Sequence, residues 1–392
     1  MSKTDRLPLF SLSLLWLLFV VLDYVQPLDN GLSLTPAMGW NSWNRYGCSI
    51  NEDIIIKAAE AIKAHGLHRL GYKYVNMDDC WQASARGPNN IPVADPEKFP
   101  HGIKYLADRI HRMGLKFGIY SDAGTMTCGK KFGSLGYETV DAKTYAEWGV
   151  DYLKYDNCYN QGQSGTPQIS AARYGKMRDA LNATGRQVLY SLCQWGEDSV
   201  WNWGYEVANS WRISGDICDN FDRFDARCPC QDSSTYCALP GMSCSVMNIL
   251  EKASGLGQKA SIGGWNDLDM LEVGNGGMSY HEYVTHFSMW AITKSPLILG
   301  NDLTNMSRET FSIISNKEII AISQDIESRP GDRIWKKEYK DKSRGSIQLW
   351  RTRYDHGAYV MAFINATPRN LTYVVSFADF FFDVGLILFP FM

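Results

Sequence analysis

Histidine is scarce in this chain, 7 among 392 residues, and no two have the H-E-x-x-H spacing that sets two imidazoles and a base on one helical face. His281 and His286 stand five apart, and His281 with Glu282 reads as helix surface, so no histidine set completes a metal centre. Positive charge is not in excess either. Lys and Arg number 39 against 42 Asp and Glu, a formal net charge of −3, which argues against nucleic acid or an anionic membrane surface as partner. No G-x-G-x-x-G follows a predicted strand, so a doubly wound dinucleotide fold lacks its phosphate-binding turn. The glycine-rich "VGNGGMS" has other spacing and reads as a loop. Internal repeats and low-complexity segments are absent, and after Leu22 no apolar run is long enough to span a bilayer.

What the chain does have begins at its N-terminus. Lys3 and Arg6 precede the apolar run from Leu7 to Leu22, the pattern of a signal peptide over residues 1–24. The A-x-A cleavage rule is not met, which leaves an uncleaved anchor as the alternative. Sequons at Asn182, Asn305, Asn365 and Asn370 fit passage through the secretory pathway, and ten cysteines fit disulfides there. The expected product is a secreted glycoprotein with no stable membrane anchor after signal cleavage. Four cysteines cluster at Cys228, Cys230, Cys237 and Cys244, with spacing unlike the close pairs that zinc takes. They read as a stapled loop.

Length and a 45% hydrophobic content suit one large domain plus a smaller one. Short apolar strands alternate with helical patterns. Ile103, Leu106, Ile110 and Met113 fall on one helical face, Gly114 closes that helix, and "LKFGIYSDAG" is the next strand. Eight such units, opened by "TPAMGWNSW", predict a (β/α)8 TIM barrel over residues 31–325. Beyond it the texture changes to "GSIQLWRTRY", "GAYVMAFINAT" and "LTYVVSFADF", alternating segments that predict an antiparallel β domain over residues 326–392.

In such barrels the C-terminal strand tips face the active site. Here they carry Trp43, then Asp78 and Asp79, Tyr120 and Asp122, Lys154 and Asp156, Cys193 and Trp195, Arg212 and Asp216, Asp267 and Asp269, and Asn301 and Asp302. One acidic tip is easily structural, but carboxylates at almost every strand are not. A ring of Asp could bind Mg2+ or Ca2+, yet the interspersed Lys154 and Arg212 oppose that. A ring of carboxylates, cations and tryptophans suits an uncharged polyhydroxylated ligand, a sugar. Two carboxylates on separate strands would serve as nucleophile and acid/base across a glycosidic bond. No metal or cofactor is expected.

The motifs "MGWNSWN", "MDDCW", "GIYSD", "KYDNCY", "WRISGD" and "GGWNDLDMLEVGNGG" resemble, in order and spacing, glycoside hydrolase family 27, the α-galactosidases. The Cys-rich insertion is similar to that of the secreted yeast and fungal, melibiase-like branch. The resemblance implies a retaining enzyme acting on terminal α-galactosyl residues of oligosaccharides such as melibiose, the raffinose type and galactomannan. It implies Asp156 as nucleophile, with Lys154 bonding sugar hydroxyls and keeping Asp156 ionised. By the same resemblance Asp216 is the acid/base and Arg212 holds it, Asp78 and Asp79 grip O4 and O6, and Trp43 is an aromatic wall. Tyr120, Cys193, Trp195 and Asp269 complete the substrate-binding set, and Gln258 is a contact to the leaving sugar. Disulfides Cys48–Cys80 and Cys128–Cys158 are implied beside the pocket, with nested bridges Cys228–Cys244 and Cys230–Cys237 expected in the insertion and Cys218 expected as a free thiol.

Two alternatives stay open at this level. An α-N-acetylgalactosaminidase needs room for an acetamido group, which the bulky Trp195 of "CQWGED" disfavours. A non-catalytic or impaired sugar-binding chain is the other, because the family closes its β domain with strands expected after "SFADFFFDVG", where this sequence reaches "LILFPFM". The β domain is therefore expected to be incomplete. A homo-oligomer is compatible with the sequence.

Overall fold

Eight strands of this chain are short, three to seven residues, and mostly buried, which suits strands covered by helices outside and packed against one another inside. In the computed structural model, described for residues 28, 30–223, 228, 243–338 and 345–372, eight such strands form one parallel sheet. They are β1 (Met38–Asn41), β2 (Tyr74–Asn76), β3 (Lys116–Asp122), β4 (Tyr152–Asp156), β5 (Leu189–Leu192), β6 (Ser210–Arg212), β7 (Trp265–Asp267) and β8 (Leu297–Leu299). Their order is β8-β1-β2-β3-β4-β5-β6-β7. The two ends meet through Leu271, just past β7, which bridges Leu299 in parallel. Leu271 N–H donates to Ile298 O at 2.7 Å, and Gly300 N–H donates to Leu271 O at 2.9 Å. The fold is a (β/α)8 barrel.

Helices follow the strands as the periodicity predicts. In Gly102–Arg112, Ile103, Leu106 and Ile110 are buried, Met113 packs at the edge of the core, and Gly114 ends the turn at φ +74°. Side-chain caps fix several starts. Asn51 accepts from Ile54 N–H at 2.9 Å ahead of Glu52–Ala64, and Ser279 with Glu282 forms a capping box on Tyr280–Ile292. Inside the barrel, Ala37, Tyr74, Tyr152, Leu189, Met270 and Ile298 pack as a lower layer. Glycine lets the strands approach there. A Cβ on Gly39 would lie 2.3 Å from Tyr74 O, and one on Gly118 would lie 2.0 Å from Asn76 Oδ1.

A three-stranded antiparallel sheet follows, β9 (Asp332–Glu338), β10 (Ser346–Tyr354) and β11 (Ala358–Asn365). Strands β10 and β11 are two of the three segments expected from sequence. Strand β9 was not expected, because "DRIWKKE" carries five charges and only two apolar residues. Its cations are held across the domain boundary, Arg333 and Lys336 meeting Glu251 at 2.6 and 3.0 Å. Trp350 and Ile364 join the core of the barrel. The expected leader, the expected Cys230–Cys237 bridge and the chain from residue 373 onward lie outside the described residues. Among the described residues no helix is long and apolar enough to cross a membrane.

Candidate active site

Alternation along β4 puts Lys154 and Asp156 on one face at the barrel mouth. Lys154 Nζ donates to Asp78 Oδ2 at 2.8 Å, and Asn41 Nδ2 donates to the same oxygen at 2.7 Å. The other Asp78 oxygen accepts from Asp79 N–H at 2.9 Å. Asp79 accepts in turn from Cys80 N–H and Gly129 N–H, both at 2.6 Å. Burial pushes its carboxyl up, and those backbone donors pull it part of the way back. The pair past β2 is therefore oriented before any ligand arrives.

Asp156 is 5% exposed. Tyr120 OH donates to its Oδ2 at 2.7 Å, and Asn157 N–H to its Oδ1 at 2.9 Å. Burial raises its pKa to about 7. Lys154 opposes that shift, and the nearby charge of Asp216 adds to it. The expectation that Lys154 keeps this group ionised thus names the right sign but not the larger effect. Desolvation wins, and the ammonium is already bonded to Asp78. Behind Asp156, Asn157 donates to Glu197 Oε2 at 2.8 Å and accepts from the buried Arg173 at 2.5 Å. Arg173 also reaches Ala123 O at 3.0 Å, so this network holds the β4 turn from below.

Arg212, the last residue of β6, forks to two carboxylates, Asp269 Oδ2 at 2.8 Å and Asp216 Oδ1 at 3.0 Å. Its Nη1 donates to Cys193 Sγ at 3.6 Å. Asp216 is not on β6 itself. It starts a short parallel ladder, Asp216–Ile217 with Ser243–Cys244, and its side chain is 45% exposed. Asp269 lies past β7 at φ +83°, and its Oδ2 also accepts from Ile217 N–H at 2.8 Å. One buried carboxylate thereby ties the guanidinium and the segment carrying Asp216 together. Burial sets its pKa up to about 6, against the pull of Arg212.

The walls are aromatic and sulfur-rich. Trp43 opens the short helix Trp43–Tyr46 past β1, half-buried, with its N–H on Asn41 Oδ1 at 2.8 Å. Trp195 lies past β5 at φ +60°, packed with Cys193, Cys158 and Cys128. Disulfides join Cys48–Cys80, Cys128–Cys158 and Cys228–Cys244. Asp122, Cys128 and Cys158 cluster closely among the described residues, but both sulfurs belong to a disulfide and are not thiolate ligands. Cys193 is a buried thiol, and Cys218 N–H donates to Cys244 O at 2.9 Å.

Several residues stand apart. Gln258 is exposed in the turn Gly257–Lys259 ahead of β7, at the opposite end of that strand from the site. Asp302 caps its own loop through Thr304 at 2.6 Å, and Asn301 is buried beneath Trp40, whose indole N–H donates to its carbonyl at 2.8 Å. Asn182, Asn305, Asn365 and Asn370 are all exposed. Sequence reasoning passed over Asn41, Asn157, Arg173 and Glu197. The first two sit inside quoted motifs as polar residues at strand ends, which was a readable signal. Glu197 sits in "CQWGED" too, but its partner Asn157 is 40 residues back in the chain, and Arg173, in a charged helix, gave no signal.

The model of the alpha galactosidase A family matches residues 35–325. Alpha-galactosidase mel1 of Schizosaccharomyces pombe is 55% identical over 368 residues, 93% of this chain and 84% of the relative. The alpha-galactosidase of Lachancea cidri is 52% identical over 360 residues, covering 91% and 76%. Among solved structures, the α-galactosidase of Saccharomyces cerevisiae with raffinose superposes at a TM-score of 0.88 with 46% identity, covering 92% of this chain and 80% of that one. α-Galactosidase I of Mortierella vinacea gives 0.76 with 56% identity, covering 83% of each. With eight strands presenting this carboxylate set at one mouth, the chain belongs to the alpha galactosidase A family.

Proposed function

We propose that this chain is a secreted, retaining α-galactosidase that releases terminal α-D-galactose from oligosaccharides of the melibiose, raffinose and galactomannan kind. The observation that carries the reading is a buried carboxylate on β4, Asp156, held by Tyr120 OH and the Asn157 N–H, at the same barrel mouth as a half-exposed one beyond β6, Asp216, held by Arg212. Asp156 attacks C1 and forms a covalent galactosyl-enzyme while Asp216 gives its proton to the departing oxygen. Asp216 then takes a proton from water, whose oxygen displaces Asp156 from C1. Arg212 supports the Asp216 charge, and the Lys154–Asp78 pair with Asp79 offers fixed donors and acceptors to hydroxyls on the far side of the ring. Tyr120 orients Asp156, and Trp43 and Trp195 form the walls.

Proton NMR of the first product from p-nitrophenyl α-galactoside tests the mechanism. Retention gives α-galactose first, and initial β-galactose overturns it. Assay beside the N-acetylgalactosaminide separates the two specificities. Secretion is supported by the N-terminal pattern, three disulfides and four exposed sequons. Expression of the full chain in a eukaryotic secretory host should give medium enzyme lacking the leader and shifted in mass by glycosidase. Retention in the cells with an intact leader contradicts it.

A further inference from the structure

The helix after β7, Tyr280–Ile292, turns one face to the loop that carries Asp269. Tyr283, His286 and Trp290 share that face, at spacings of three and four residues. Each meets the loop at a different point. The indole N–H of Trp290 donates to Asp269 O at 2.7 Å, Glu272 N–H donates to His286 Nε2 at 3.0 Å, and Gly276 N–H donates to Tyr283 OH at 2.6 Å. Trp290 and His286 are fully buried and packed edge to face, their ring centroids 4.1 Å apart. Burial pushes the imidazole down to about 3, so it stays neutral and its Nε2 accepts.

What this helix holds is a strained link. Asp269 stands at φ +83°, a left-handed conformation that a residue with a Cβ keeps only where its surroundings impose it. Two of its bonds are local, from its own N–H to Asp267 and from Met270 N–H to its carboxylate, both at 2.8 Å. Trp290 holds the carbonyl from outside the loop and so fixes the direction of the peptide. That direction aims the carboxylate at Arg212 and at Ile217 N–H, each at 2.8 Å, and Arg212 in turn holds Asp216 at 3.0 Å. Tyr283 gives the Asp216 segment a second tie, donating to Asp219 at 2.8 Å.

We propose that Trp290, supported by His286, is a positioning residue for the proton donor of this reaction: it sets Asp269, and through Asp269 and Arg212 the place of Asp216. The inference rests on the reading of Asp216 as acid/base given above. A donor out of place costs most when the departing oxygen needs its proton, and least when the leaving group departs as a stable anion. The test is the ratio of kcat/KM for raffinose over dinitrophenyl α-galactoside in Trp290→Phe, which keeps a buried ring and removes the N–H. The ratio should fall about 10- to 50-fold, less than in Asp216→Gly, where the donor is gone. A ratio unchanged within about twofold, or an equal fall on both substrates, overturns the proposal, because a loosened core does not distinguish leaving groups. Should circular dichroism find Trp290→Phe unfolded, His286→Leu and His286→Gln decide. His286→Leu should lower the ratio, and His286→Gln, whose amide oxygen can accept from Glu272 N–H, should restore it. The same ratio in both overturns the proposal. An unchanged ratio in Asp216→Gly overturns the acid/base reading itself, an outcome separate from an effect missing in Trp290→Phe alone.

Discussion

Lys154 donates to Asp78 at 2.8 Å, reaching from β4 over β3 to the residues past β2. A strand tip that should be dry carries a lysine because the lysine is a tie between strands as well as a charge beside Asp156. Lys154→Met breaks a buried pair and leaves Asp78 only the neutral donors Asn41 and Asp79 N–H, so kcat/KM should fall by about 10²–10³. The pH profile carries a second signature. Lys154 lowers the Asp156 pKa, so without it that pKa rises and less of the nucleophile is ionised at a given pH. The acidic limb of kcat/KM should therefore move to higher pH. A limb that stays put or moves down would show that Lys154 acts on the sugar alone.

Azide separates the proposed roles of the two carboxylates. In Asp156→Gly the ring face that the nucleophile occupied is open, so azide enters there and gives β-galactosyl azide. In Asp216→Gly the covalent intermediate still forms with an activated leaving group, and azide attacks from the other face to give the α-azide. Without azide, each variant should lose on the order of 10³-fold or more in kcat toward an unactivated galactoside. Proton NMR of the azides reads the outcome. The same anomer from both variants would sink the assignment.

How much of this was legible beforehand depended on the kind of interaction. The barrel could be read because each strand and helix announces itself locally, as Ile103, Leu106 and Ile110 do by spacing. The tips could be read because Asp78, Lys154, Asp156 and Arg212 are charges at the ends of apolar runs. Long-range pairing was not legible. Nothing in "WNDLDM" says that Asp269 turns back to hold both Arg212 and the Ile217 amide, which requires its φ of +83°. Nor could sequence say that burial outweighs Lys154 at Asp156, since desolvation is a property of the closed fold. Strand β9 was missed because its cations are satisfied by Glu251, 82 residues away in the chain.

Trp195 is the wall that should exclude a larger group at C2. It is 7% exposed, packed on Cys193 and the Cys128–Cys158 bridge. Trp195→Ala exchanges an indole for space, at a stability cost of about 3–5 kcal/mol. The ratio of activity on the N-acetylgalactosaminide to that on the galactoside should rise about tenfold, limited by the absence of donors for the acetamide. Assays must be run well below the lowered melting point. Loss on galactoside with no relative gain on the N-acetyl substrate would show that the indole holds the disulfide turn and not the C2 boundary.

Burial also makes stability depend on pH in a definite direction. Among the carboxyls pushed up chiefly by desolvation, Asp269 stands at about 6, Asp156 and Glu197 at about 7, and Glu272 at about 8. Unfolded, such groups titrate near 4. Between pH 6.5 and 8, roughly, the folded chain therefore holds protons that the unfolded chain has lost, and stability must fall as pH rises. Groups of the opposite sense act outside that window. His286, lowered by burial to about 3, makes the folded state lose ground once the unfolded histidine protonates, below about 6.5. Lys252 and Lys294, lowered to about 8, favour folding only as pH climbs beyond that. Glu251, lowered to about 2 by Arg333, titrates well below it. The melting temperature should thus rise by a few degrees as pH drops from about 8 to about 6.5, on the order of 1–3 kcal/mol, and go on rising toward about 5, because several raised carboxyls outweigh the single His286. Glu272→Gln removes the carboxyl raised to about 8 and should flatten the alkaline end of that slope. Scanning calorimetry across the window checks both, and a melting point that climbs steadily to pH 8 would show that these carboxyls are solvated well enough to ionise at their ordinary values.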